Sequence, residues 1–332
     1  MKVSVVSPFY NEESIIVSST KRMLNNLTQQ FSDWELILVN DGSQDNSLQK
    51  ILDAEDLKNK NLRIISCEIN QGRGRALKNG IDFANGDIIV TTEVDCSWGD
   101  EIVKDLVNKL LTENLDVVVA SPHTKNGGLK NVPFKRVLLT KLGNILINNF
   151  FNSGVSMSTG MTRAYRKEVI KPLFVTENGK EFHLEVLLKL RTMKFRIGEI
   201  PAIITWKNIK STKSSKTRKS STKIKKTIFT HLKFLLSAEP KGIFAILSLF
   251  ATFLGLIFIF WAFINMMMLK PSILLLILGL QIVVFSFLFA GFSIMFAEIR
   301  DISIRGWMNN YQNTKKGIPP SVIEANEIIY RK

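Results

Sequence analysis

A chain of 332 residues has room for one sizeable α/β domain and a smaller element beside it. Its formal net charge of +15 calls for an anionic partner, nucleic acid or lipid. Two cysteines, Cys67 and Cys96, exclude a disulfide scaffold and a paired-cysteine zinc site and fit a reducing, cytoplasmic setting, while His123, His183 and His231 lack metal-binding spacing.

Residues 1–9 are apolar but short and interrupted by Ser4, Ser7 and Pro8, so they read as a first β-strand and not as a signal peptide. Asn11 is placed to cap a helix with Glu12 and Glu13 in its first turn and Ile15, Ile16, Met23, Leu24 and Leu27 on one face. Strands are predicted over 35–39, 62–66, 88–92 and 117–120, and helices over 47–54, 73–84 and 101–111. This alternation predicts an α/β fold with a mostly parallel sheet and helices on both faces. Ligands of such sheets sit beyond the carboxyl ends of the strands, where the polar motifs of this chain fall.

After Trp206 the composition changes. Residues 207–226 carry Lys207, Lys210, Lys213, Lys216, Arg218, Lys219, Lys223, Lys225 and Lys226 with no acidic residue among them. Ile224, Ile228, Phe229, Leu232, Leu235 and Leu236 then recur at helical spacing, which suggests a basic interfacial helix. Residues 243–264 and 271–297 are free of charge, and each exceeds the roughly 20 residues needed to cross a bilayer. Basic residues flank the outer ends of this pair, which predicts a hairpin with both termini cytoplasmic. The expected organisation is an α/β domain over 1–206, a basic loop and interfacial helix over 207–240, two transmembrane helices over 241–298 and a cytoplasmic tail over 299–332. Lipid is then the better partner for the positive charge. Nucleic acid is set aside, because the basic run lacks interleaved aromatics and abuts the spans.

Four polar clusters follow strands in the first half. They are Ser7-Pro8-Phe9-Tyr10-Asn11-Glu12, Asn40-Asp41-Gly42-Ser43, Asn70-Gln71-Gly72-Arg73-Gly74-Arg75, and Gly86-Asp87 through Glu93-Val94-Asp95. Asp41 stands where a carboxylate can accept hydrogen bonds from a base or ribose; an ordinary turn aspartate is the plainer reading. Glu93 and Asp95, two apart on an extended segment, point to one side and can together hold a hard divalent cation. Arg73 and Arg75 open a helix behind glycines, an arrangement suited to an anion.

In order and spacing these clusters resemble family 2 glycosyltransferases of the GT-A fold, and among them the polyprenyl-phosphate glycosyltransferases related to dolichol-phosphate mannose synthase. The resemblance covers roughly residues 1–225, and the paired C-terminal spans match the bacterial type. It implies an inverting transfer of a sugar from a UDP- or GDP-sugar to a dolichyl or undecaprenyl phosphate at the cytoplasmic membrane face. It assigns Pro8, Tyr10, Glu12, Asp41, Arg73 and Glu93 to the nucleotide sugar, with helix-end charge compensation as the alternative for Glu12. Glu93 and Asp95 are assigned to Mg²⁺ or Mn²⁺. Arg136, Thr140, Arg163, Arg218 and Lys219 are assigned to the acceptor phosphate, and Asp95, Arg136, Arg163 and Arg218 to the catalytic set. The chain departs from the family pattern at Glu93, where the pattern has Asp, at Ser97, where it has Gln, and at Met157, where it has Asp. Glu199-Ile200-Pro201 matches a family strand motif, Glu181 and Glu185 fall on a predicted helix, and His183 between them reads as structural.

A phosphate monoester is mostly dianionic near neutral pH, with a second pKa of about 6, so its oxygen can attack without a strong base. The task left to the protein is alignment and charge neutralisation. Two other readings stand beside this one. A polysaccharide synthase would carry Gln-x-x-Arg-Trp and more spans, and a noncatalytic membrane scaffold would tolerate the three departures. Assembly into a homo-oligomer stays open.

Overall fold

The computed structural model describes residues 1–130, 154–205, 240–268, 270, 272–315 and 326–329. The chain divides into two compact units, one formed by Met1–Lys219 with Trp307–Lys332 and the other by Ser220–Gly306.

The first unit is built on β1 (Val3–Phe9), which pairs in parallel with β2 (Trp34–Asp41) on one side and β4 (Ile88–Thr91) on the other. β3 (Leu62–Cys67) extends the sheet in parallel beyond β2. Past β4 the direction reverses. β7 (Arg163–Arg166) runs antiparallel between β4 and β5 (Val117–Ser121), and β8 (Ile197–Pro201) lies parallel to β5. β10 (Asn326–Ile329) closes the far edge, antiparallel to β3, which gives the order β10-β3-β2-β1-β4-β7-β5-β8. A separate parallel pair joins β6 (Gly128–Lys130) to β9 (Ile203–Thr205).

Both faces of the sheet are covered, and strand periodicity sorts the side chains between them. Val5, Leu36, Leu38 and Val90 face a cluster shared with α1 (Ile16–Gln30) and α4 (Ile102–Thr112). Val6, Ile37, Val39 and Ile89 face the opposite cluster, shared with α3 (Arg73–Phe83) and α6 (Phe182–Thr192). Two short helices, α2 (Ser47–Asp53) and α5 (Lys167–Ile170), also belong to this unit. These elements match the predicted ones closely, and the mostly parallel sheet is as expected. One local expectation is overturned. Asn11 does not cap α1: it has φ 55°, and the helix begins at Ile16. Its side-chain Oδ1 accepts the Gln44 N–H instead, so loop–loop bonding takes the group that a helix cap would use.

The second unit contains α7 (Pro240–Met267) and most of α8 (Ile273–Lys315). Both helices are long and apolar enough to cross a membrane. A soluble core helix would bury such side chains, yet Phe253, Phe260, Leu274 and Phe287 are 65%, 65%, 81% and 71% exposed. The two helices approach closely at Gly255 and Gly279: a Cβ on Gly255 would lie 2.9 Å from the Gly279 carbonyl oxygen. Small residues at such crossings let helix backbones touch in lipid.

A buried charge pins β1, β2 and the turn before β4. Glu35 is 3% exposed and accepts hydrogen bonds from Ser4 Oγ, Arg63 Nη1 and the Asn85 N–H, with Lys2 nearby. Burial alone would raise its pKa, but these donors outweigh that and hold it below the ordinary glutamate range. A carboxylate with a lowered folded-state pKa contributes stability that is present above its unfolded pKa of about 4.3 and is lost as pH falls through the folded value. Glu35→Gln should therefore lower the melting temperature near pH 7, at a cost of about 1–3 kcal/mol, and flatten the acid limb of melting temperature against pH. Thermal unfolding in detergent from pH 3 to 8 measures both.

Candidate active site

The candidate site lies at the carboxyl ends of β1, β2 and β4, where the loops after β1 and β2 are tied to each other through main-chain donors. The Asn11 N–H donates to Ser43 Oγ at 3.0 Å, the Glu12 N–H to Ser47 Oγ at 2.8 Å and the Glu13 N–H to Asp45 Oδ2 at 3.2 Å. Pro8 is buried within β1, opposite Val39, while Tyr10 is exposed and Glu12 partly exposed at the strand's end. Asp41 ends β2 and is buried. Its Oδ1 accepts the Gln71 N–H at 3.0 Å, and burial pushes its pKa up against this bond and one from the Gly72 N–H. It therefore joins the β2 loop to the turn that opens α3. That turn needs Gly72, which has φ 105° and whose Cβ, if present, would sit 2.5 Å from the Asn178 carbonyl oxygen. Arg73 is the first residue of α3 and Arg75 its third, both partly exposed.

Glu93 and Asp95 follow β4 but differ in setting. Glu93 Oε2 accepts hydrogen bonds from Trp98 Nε1 and from Thr162 Oγ1, both at 2.6 Å. Burial raises its pKa, opposed by Thr162, by the nearby positive charge of Arg73 and by Trp98. Asp95 is partly exposed, and its Oδ1 accepts the Ser97 N–H at 3.0 Å. Cys96 between them has φ 52°, a left-handed turn that sets Ser97 back against Asp95. Among the described residues no three His, Cys, Asp or Glu side chains gather into a metal cage. Two carboxylates on a strand-end loop still fit Mg²⁺ or Mn²⁺ of the substrate-borne kind, which takes its other ligands from phosphate and water.

Arg163, expected at the acceptor phosphate, has no exposed surface; its Nη1 donates to the His183 carbonyl at 3.0 Å and its Nη2 to the Ser158 carbonyl at 2.6 Å. Its observed work is to hold the segment that leads into β7. His183 is buried, and desolvation together with the charges of Arg163 and Arg73 keeps its pKa well below the usual value. Arg136, Thr140, Arg218, Lys219 and the basic run over 207–226 lie outside the described residues.

Sequence reasoning missed Thr162 and Trp98 as partners of Glu93. Trp98 lies just beyond the last of the four clusters and Thr162 next to Arg163, but they come from the loop after β4 and from the entry to the antiparallel strand, and nothing in their spacing joins them. It also left Glu199 and Glu185 without a role. Glu199 Oε1 accepts the Ser156 N–H at 2.5 Å and the Met157 N–H at 3.3 Å, so it fixes the segment in which Met157 replaces the family aspartate. Glu185 accepts the Thr176 N–H at 3.0 Å and the Glu177 N–H at 2.8 Å.

Comparison with known proteins gives a consistent result. The family model for glycosyl transferase family 2 matches residues 4–174. Over 185 residues the chain is 31% identical to an undecaprenyl-phosphate 4-deoxy-4-formamido-L-arabinose transferase of Photorhabdus laumondii, covering 54% of each protein. Over 127 residues it is 33% identical to an uncharacterized glycosyltransferase of Synechocystis sp., covering 38% of this chain and 39% of that one. The chain thus spans about half or less of the length of these curated relatives. Among solved structures, glucosyl-3-phosphoglycerate synthase of Mycobacterium tuberculosis aligns with a TM-score of 0.52 at 19% identity, covering 71% of this chain and 80% of that one, a likeness of fold.

The bonds to Glu93 give a direct test. Thr162→Val and Trp98→Phe each remove one donor from the Glu93 carboxylate. Each should destabilise the domain by about 1–3 kcal/mol at pH 7. Because both act on one oxygen, the double variant should lose a different amount from the sum of the two, read from thermal unfolding of all four proteins.

Proposed function

The chain belongs to glycosyl transferase family 2, and on that premise we propose that it moves a sugar from a UDP- or GDP-sugar to a polyprenyl phosphate, with inversion at the anomeric carbon. The observation that carries this reading is that Glu93, Asp95 and the Arg73 end of α3 lie at the carboxyl-end side of the central strands, with the Arg73 charge acting on Glu93, in a chain that also has two membrane-length helices. The first feature suits a nucleoside diphosphate and the second suits an acceptor held in a bilayer. The undecaprenyl-phosphate transferase of Photorhabdus laumondii supports the acceptor class.

In this reading Asp41 and Glu12, with Pro8 and Tyr10, receive the nucleoside, and the N-terminus of α3 with Arg73 receives the diphosphate. Asp95 is the side chain that would hold Mg²⁺ or Mn²⁺, whose charge offsets the negative charge gathering on the departing diphosphate. Glu93 contributes chiefly by fixing the loop, since one of its oxygens is engaged by Thr162 and Trp98. Arg136, Thr140, Arg218 and Lys219 are the candidates for the acceptor phosphate, because arginine forks and nearby hydroxyls match its oxygens. Arg163 acts through the backbone that it holds. An acceptor phosphate oxygen then attacks the anomeric carbon as the bond to the diphosphate oxygen breaks, and alignment supplies most of the rate. The basic flanks of the apolar pair favour a topology with both chain ends and this chemistry on the cytoplasmic side.

The test is a transfer assay with purified full chain in detergent. UDP- and GDP-sugars are offered with undecaprenyl or dolichyl phosphate and Mg²⁺ or Mn²⁺. Transfer should occur with one donor class and cease in excess EDTA. Asp95→Asn should lower kcat by about 10²-fold or more, and Glu93→Gln by less. Full turnover in EDTA would remove the metal from the scheme. Labelling of Ala325→Cys by an impermeant reagent from outside intact cells would overturn the topology.

A further inference from the structure

At about 1.5 Å per residue, the 43 residues of α8 rise about 64 Å, roughly twice the ~30 Å of a hydrocarbon core. Its uncharged stretch ends at Ala297, and Glu298, Arg300, Asp301 and Arg305 follow. The last turns of this helix therefore lie in a polar medium, and from Trp307 onward they belong to the unit that carries the sheet. Trp307 and Tyr311, one turn apart, share a helix face. Tyr311 Oη donates to the Glu168 carbonyl at 2.6 Å and its ring lies 5.7 Å from that of Phe195. The Trp307 ring covers the ammonium of Lys189, with Nζ 4.7 Å from the ring centroid.

Lys189 is 2% exposed, an unusual place for a lysine; a carboxylate, a carbonyl and two aromatic rings surround its ammonium, and Lys78 shares the Phe174 ring with it at 5.1 Å. Its Nζ lies 2.6 Å from Glu185 Oε1, donates to the Phe174 carbonyl at 2.7 Å and sits 5.6 Å from the centre of the Phe174 ring. Glu185 in turn accepts the N–H groups of Thr176 and Glu177. The backbone so fixed continues into Asn178, whose carbonyl accepts the Arg75 N–H at 3.1 Å and lies against Gly72. Lys78, on α3 itself, donates to the Val175 carbonyl at 3.0 Å. An unbroken series of contacts thus runs from the end of α8 through α6 to the turn that opens α3.

We propose that Trp307 and Lys189 are positioning residues for the donor-binding turn at residues 72–75: Trp307 seals Lys189 from water, Lys189 fixes Glu185, and Glu185 fixes the backbone against which that turn is set. The proposal rests on the nucleotide-sugar reading only in what the turn holds. Its physical basis is that an ion pair weakens when water reaches it, because the ammonium is then hydrated and the field between the charges is screened. A ring face, unlike an aliphatic side chain of similar bulk, also attracts the cation directly. The plainer role for Trp307 is that of an aromatic at the membrane interface, which would leave the turn untouched.

The experiment compares full-length wild type, Trp307→Leu and Trp307→Phe in detergent by hydrogen–deuterium exchange and by binding of UDP and of GDP with Mn²⁺. Trp307→Leu keeps apolar bulk but loses the ring, and should speed amide exchange at residues 72–76 and 176–178 by about fivefold while β1 and β2 stay protected. Half-saturation by the nucleotide that the wild type binds should rise by a similar factor, with kcat nearly unchanged in the transfer assay. Trp307→Phe should restore both. Unchanged exchange at 72–76, or faster exchange throughout the domain, would overturn the proposal. Faster loop exchange with unchanged nucleotide affinity would remove Trp307 and Lys189 from donor positioning. A wild type that binds neither UDP nor GDP would sink the donor reading instead, and loop exchange would still decide the coupling.

Discussion

Hydrogen bonding of β1 in parallel to both β2 and β4 brings three strand ends side by side, and the candidate site depends on that arrangement. A strand covered on both faces has little tolerance for polar side chains along its length, so polar groups gather at its ends. The exceptions inside the sheet are satisfied locally. Ser4 donates to Glu35, and Ser7 donates to the Thr92 carbonyl at 3.0 Å. At the ends, the loops after β1 and β2 bond to each other through side-chain oxygens and main-chain N–H groups. These bonds limit the freedom of residues that have to meet a ligand in one geometry.

The reversal of direction at β7 has a chemical consequence. An all-parallel sheet would place another strand end beside β4, and the antiparallel β7 places a strand beginning there. Thr162, just ahead of that strand, reaches Glu93, while Arg163 next to it turns into the interior and holds the His183 and Ser158 carbonyls. One short segment thus supports the carboxylate loop on one side and α6 on the other. Glu93, bonded to Trp98 and Thr162, is tied into the framework, whereas Asp95 bonds to the Ser97 N–H of its own loop.

The membrane-length helices follow a different rule. Their apolar side chains face outward, and they touch through small residues at Gly255 and Gly279. In the unit that carries the sheet, burial from water drives the packing; for helices of membrane length, close backbone approach and van der Waals contact would do so in lipid. α8 takes part in both regimes, because its composition changes from uncharged to charged after Ala297.

Periodicity and composition alone located nearly every strand and helix of the first 121 residues, the mostly parallel sheet and the two apolar spans. These features follow from local patterns: alternation for strands, a repeat near 3.6 for helices and run length for the spans. The strand-end motifs were legible for the same reason, since Asp41, Glu93 and Asp95 each follow a readable strand. Their partners were not. Whether Asn11 caps a helix or bonds to Gln44 depends on a loop 33 residues away, and Thr162 meets Glu93 across a separation of 69 residues. The burial of Arg163 depends on a strand inserted between two others, and its charge in the sequence looks no different from that of an arginine on the surface. Lys189 is the clearest case, since an α6 lysine at the surface and one sealed beneath Trp307 read alike. Which groups a side chain meets is fixed by contacts between distant segments, and these exist only once the chain has folded.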